Sequence, residues 1–177
     1  MTTDASKIRI TLDPETFWGF LDVPFHQLMG IRFARAEDGR SVVSLPPEPE
    51  VVDEHGEHSA AALYSIAEIS SALRACEDLA ADTKKLAAGS YPVLLARELR
   101  FRQLAPAHGE ISARAEFAVD SAEVIERLAT RRKANATLKV RIESDVDGLV
   151  GEAETDFYLR IMTEERLLAM TDAAARA

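Results

Sequence analysis

From residue 59 to residue 73 the chain reads SAAALYSIAEISSAL, with small or apolar residues on nearly every side of the helical wheel and a single charge, Glu68. An apolar run of this length is too long for a buried strand, and it predicts a core helix from about His58 to Leu79. On both sides of it the period drops to two. Residues 31–36 (IRFARA) and 41–45 (SVVSL) alternate around the turn EDGR and predict a hairpin. Four more strands follow from the pattern at Tyr91 to Phe101, Glu110 to Val119, about Ala136 to Ser144 and Leu149 to Ile161, with LAPAHG and DVDG as turns. Three short helical segments complete the reading. Asp13-Pro14-Glu15 opens one that runs to Leu21, a turn lies around Pro24 to Met29, and Ser121 caps the segment SAEVIERLATRRK.

Two strands, one long apolar helix and four further strands predict an α+β fold in which an antiparallel sheet wraps around that helix. Alanines at 60, 61, 62 and 67 would let the sheet come close, and Leu63, Ile66 and Leu73 would fill the remaining space. The 177 residues, 47% of them hydrophobic, suit one domain. Its core is expected at about 24–162, with an N-terminal helix at about 13–21 and a tail at about 164–177. A net charge of −9 repels polyanions and argues against a nucleic-acid partner. With no stretch of signal-peptide character and no apolar run of membrane-spanning length, the expectation is a cytoplasmic protein with no membrane partner. Cys76 is the only cysteine, which excludes an internal disulfide or thiolate cluster and predicts a buried spectator thiol.

The candidate chemistry centres on Glu68, because an unpaired carboxylate in an apolar helix is costly and is usually retained for a purpose. The proline-rich acidic loop PPEPEVVDEHGEH delivers the chain into this helix. Unpaired N–H groups at the helix start can stabilise an oxyanion, and a partly buried carboxylate gains basicity. Asp53, Glu54, His55, Glu57 and His58 contain metal-ligand types, but they lack the two-histidine helical spacing, so a solvated acidic loop is the simpler reading and no metal or other cofactor is expected. Arg97, Arg100 and Arg102 on one strand, and Arg131, Arg132 and Lys133 after the second helix, could meet the phosphates of a nucleotide-bearing ligand; solvated surface charge is the simpler reading for any one of them.

Taken together, VPFHQLMGIRF, the loop ending in Gly56-Glu57-His58-Ser59, the helix ALYSIAEISSAL, FRQLAPAHGEISARAEF and GEAETDFYLR resemble the hotdog-fold thioesterases, nearest to the phenylacetate-pathway (PaaI-like) and thioesterase-related branch. The resemblance covers roughly Pro24 to Ile161. It implies acyl-CoA thioester hydrolysis, with Glu68 as nucleophile or general base and the backbone at Ala60 and Ala61 as oxyanion donor. It also implies an acyl thioester of coenzyme A or acyl carrier protein as substrate, and a homodimer or dimer of dimers. Relatives commonly carry Asn-x-x-Gly-x-x-His-Gly-Gly before the helix. Here Gly56 matches, Asp53 replaces the Asn, Ser59 occupies the His position and alanines replace the glycines, while His58 stands one residue early and could supply the imidazole. Ser71 and Ala72 occupy the small or hydroxyl positions one turn beyond the acid. The departures leave two alternatives, a non-catalytic acyl or acyl-thioester binding protein and a hydratase or dehydratase.

Overall fold

The computed structural model describes residues 23–81, 90–163 and 165–166. The helix expected at Asp13 to Leu21, the loop at 82–89 and most of the C-terminal tail lie outside the described residues. In chain order the elements are α1 (Pro24–Leu28), β1 (Arg32–Arg35), β2 (Ser41–Leu45), α2 (Ala60–Ala81), β3 (Ser90–Gln103), β4 (Ile111–Phe117), α3 (Ser121–Arg131), β5 (Lys133–Ser144) and β6 (Gly148–Thr163). The strands form one sheet in the order β1-β2-β4-β5-β6-β3, every neighbouring pair antiparallel.

The sheet curls around α2, which touches β2, β3, β4, β5 and β6. Strict alternation makes this possible. Along β5, Ala134, Ala136, Leu138, Val140 and Ile142 are buried while the residues between them face outward, and β6 repeats the pattern with Ala153, Thr155, Phe157, Leu159 and Ile161. Against this face α2 sets Ala62, Leu63, Ile66, Ala67, Ile69, Leu73 and Ala75, all buried. A fully buried polar tie crosses the interface. The Ser71 hydroxyl donates to the Ala67 carbonyl at 2.8 Å and lies 3.0 Å from the hydroxyl of Thr155. Both residues have no exposed surface, so the pair satisfies polar atoms that would otherwise be stranded.

The expected antiparallel sheet around a central helix is therefore present, and the differences are local. The helix starts at Ala60, two residues later than expected, because His58 is held in a bridge to Val52. Ala62 and Ala67 pack against the sheet as expected, but Ala60 and Ala61 are exposed. At α3 the cap is Asp120, whose carboxylate accepts from the Ala122 N–H at 2.9 Å, and Ser121 is the first helical residue. β5 begins at Lys133 because Arg132 takes a left-handed conformation, φ 57°, that turns the chain directly from helix into strand. β3 occupies one margin of the sheet for 14 residues, with a register shift between Ala96 and Glu98 and Leu95 60% exposed. A long, partly apolar margin of this kind invites a pairing partner.

Leu63 lies at the start of the helix–sheet core. Leu63→Ala should cost about 2–5 kcal/mol of unfolding free energy in urea titrations, since the surrounding sheet cannot collapse into the space left.

Candidate functional site

The loop entering α2 is a compact knot. The Asp53 N–H donates to the Glu57 carbonyl at 2.9 Å, the Gly56 N–H to the Asp53 carbonyl at 3.0 Å, and the Ser59 N–H to the Val51 carbonyl at 2.9 Å. The Asp53 carboxylate accepts from the N–H groups of His55 (2.9 Å) and Glu57 (3.0 Å), and these bonds hold its pKa below the usual aspartate value. Gly56 turns the chain at φ 79°, where a side chain would be strained. The knot is tied to the sheet by a bond from the Gln103 amide to Glu57 at 3.0 Å.

His58 is the anchor of this loop. Its N–H donates to the Ala107 carbonyl and its Nε2 lies 2.8 Å from the Gly109 carbonyl, while only 2% of the residue is exposed. A carbonyl can only accept, so Nε2 carries the proton and Nδ1 is the buried basic atom, with no hydrogen-bond partner among the described residues. Burial pushes the His58 pKa down, against the opposing pull of the Gly109 carbonyl. The imidazole is thus a neutral strut between the loop and the β3–β4 turn.

Beyond the knot the helix start is open. The Ser59 hydroxyl accepts from the Ala62 N–H at 3.3 Å, and the Leu63 N–H donates to the Ser59 carbonyl at 3.2 Å. Ala60 and Ala61 precede that first intrahelical bond and are exposed, so their N–H groups have no intrahelical partner and lie at the positive end of the helix dipole. The exposed strip of α2 continues through Tyr64 and Ser65 to Glu68, spaced as one helical face. Tyr64 leans on Phe101 of β3, ring centroids 4.9 Å apart at 53°, and forms an aromatic wall one turn before the acid.

Glu68 reaches the surface of the single chain, contrary to the burial its apolar helix suggested. The protein around its carboxyl still removes enough water to raise its pKa above the usual glutamate value, and the charge of His26 on α1 opposes the rise. The structure therefore brings Glu68, Ser59, Ala60 and Ala61 onto one open face. It places Asp53 and Gly56 in the loop knot, His58 beneath it, and Ser71 and Ala72 inside the helix–sheet interface. Tyr64 and His26 were missed in the sequence: Tyr64 was discoverable as the aromatic four residues before Glu68, whereas nothing local marked His26. Cys76 is buried as expected, its pKa pushed up to about 12 by burial. Among the described residues no group of three His, Cys, Asp or Glu side chains gathers as metal ligands would.

The His58 pKa fixes a pH response. With the folded value below the ordinary 6.5, neutral His58 supports the fold above that pH, and the support is lost as pH falls from 6.5 through the folded pKa. The melting-temperature advantage of wild type over His58→Gln should therefore shrink as pH is lowered through this window.

The sequence matches no protein-family model and no curated protein. Its structure does match solved ones. A putative thioesterase from Shewanella oneidensis superposes with a TM-score of 0.63 at 18% identity, over 81% of this chain and 91% of that one. A mutant thioesterase from Pseudomonas aeruginosa gives 0.61 at 18%, over 87% and 98%. A Bacillus halodurans protein solved with CoA gives 0.56 at 16%, over 76% and 77%. With six antiparallel strands wrapped around one long helix in common with these structures, the chain has the hotdog fold.

Proposed function

We propose that the protein is an acyl-thioester hydrolase that acts on coenzyme A or carrier-protein thioesters, working as a homodimer. The observation that carries this reading is the exposed strip of α2, which joins open N–H groups at Ala60 and Ala61 to a carboxylate of raised pKa at Glu68. The thioester carbonyl oxygen would rest on the helix N–H groups, which stabilise the negative charge that develops when the carbon is attacked. Glu68 would either attack that carbon directly or remove a proton from the attacking water, and its raised pKa makes it the better base. Thiolate leaves as the tetrahedral centre collapses, giving the free acid in the water route or, after direct attack, a mixed anhydride on Glu68 that water then hydrolyses. The CoA bound to the Bacillus halodurans protein of like fold is consistent with the carrier.

Geometry favours a site shared between two chains. Ala61 and Glu68 share a face but stand about 10 Å apart along the helix axis, so one chain reaches a single carbonyl with both groups only at full stretch. Pairing of the β3 margins would bring the helix of a second copy alongside and shorten that span.

A second reading, an acyl-thioester binding protein without turnover, is favoured by His58. Its imidazole is locked on the Gly109 carbonyl beneath the helix mouth, and Ser59 stands where relatives carry histidine.

The test is thiol release from short, medium, long and aromatic acyl-CoAs by wild type and Glu68→Gln. Hydrolysis in wild type should fall about 10²–10⁴-fold in the variant, with folding retained. The acid limb of the wild-type kcat/KM profile should lie above the ordinary glutamate value of 4.5 and vanish in the variant. Wild type that binds acyl-CoA and hydrolyses none of the panel selects the second reading. Ala60→Pro removes one N–H at a helical position that accepts proline, and should lower kcat about 10²–10³-fold with little change in Tm.

A further inference from the structure

The basic residues singled out in the sequence separate into two groups in the structure. On the outward face of the sheet, Arg100 pairs with Glu154 at 2.6 Å and Asp156 at 3.2 Å, and Arg102 with Glu152 at 2.7 Å. Those charges are already neutralised. Arg131, Arg132 and Lys133 instead meet Arg160 and Arg166 around a groove of about 490 Å³ that Tyr158 also lines, and among the described residues the lining contains no acid. Among the described residues none of the five cations makes an ion pair or hydrogen bond through its side chain.

Two features hold these like charges together. Lys133 on β5 lies directly opposite Arg160 on β6, a cross-strand pairing that costs stability unless something negative sits between the two side chains. Arg132 adopts a left-handed backbone that usually falls to glycine, and its carbonyl accepts from the Ile161 N–H at 3.0 Å. That turn presents 131, 132 and 133 in succession beside the end of β6. In a chain of net charge −9 these five positive charges give no general affinity for polyanions; they form one local basic patch.

We propose that this groove binds the phosphate groups of a nucleotide carrying two or more phosphates. The arginine guanidinium groups can grip phosphate oxygens in pairs, and Tyr158 offers an aromatic face to a base or ribose. Its place in the fold separates it from the face that carries Glu68. Gln103, which ties the helix-entry loop, pairs with Gly151 near the start of β6, and Arg160 lies nine residues further along the strand, about 30 Å away. In one chain the groove is therefore a second site. Its ligand is either the nucleotide end of coenzyme A, reaching in from a neighbouring copy's thioester site, or a free nucleotide.

Calorimetric titration of the whole protein at low salt with ADP and with CoA tests this, in wild type, Lys133→Gln/Arg160→Gln and Arg131→Gln/Arg166→Gln. ADP should bind wild type, weaken as salt is added, and lose about tenfold or more in affinity in each double variant. The first variant should melt no lower than wild type, because it removes an opposed like-charge pair. A parallel loss of CoA affinity assigns the groove to the carrier of the thioester; loss confined to ADP assigns it to a free nucleotide. Failure of ADP and CoA to bind wild type, or unchanged ADP affinity in both folded variants, overturns the proposal. None of these readouts requires hydrolysis, so they stand apart from the fate of the thioesterase reading.

Discussion

The structure rests on burying a helix that is apolar on nearly all sides. Such a helix cannot lie on a flat sheet, which would cover one face and leave the others in water, so the six strands curl until five of them touch α2. Alternation along β5 and β6 supplies the inner lining, and the small residues Ala62, Ala67 and Ala75 allow the approach. What escapes this wrapping is one strip at the N-terminal half of α2, from Ala60 to Glu68. The candidate chemistry lies on that strip because it is the part of the core helix the sheet leaves open.

The same constraint explains why the entry loop is so heavily bonded. A helix start whose N–H groups are to stay open must be fixed from outside the helix. Asp53 orders the loop through two backbone N–H groups, Glu57 holds Gln103 of β3, and His58 spans to Gly109 from beneath. Polar groups in this region serve rigidity, and in the proposed function the reacting role falls to Glu68 and the helix backbone. A fixed dipole aimed at a developing oxyanion needs no rearrangement during reaction.

Much of the fold was legible in the sequence because period and composition are local. The long helix, the first hairpin and the four later strands follow from apolar spacing, and Glu68 stood out as the one charge between residues 59 and 73. Boundaries moved where a single residue's conformation decided them, as at Arg132, or where two good caps competed, as at Asp120 and Ser121. The role of His58 was not legible, since it depends on a carbonyl 51 residues away. The basic groove was half legible: residues 131–133 are adjacent in sequence, while Arg160 joins them only through the register of β5 against β6. The contact of Tyr64 with Phe101 likewise depends on how the sheet curls over the helix.

In the proposed function an oxyanion-binding helix start and an acid on α2 act together across two copies of the chain. Co-expression of Ala60→Pro and Glu68→Gln chains, purified as the mixed species, puts this to the test. If one chain supplies the N–H and the other the carboxylate, half of the sites in each mixed dimer are intact, and the purified mixed species recovers about half of wild-type thioester hydrolysis. Mixed protein that stays as inactive as either parent, with both chains folded and paired, contradicts it.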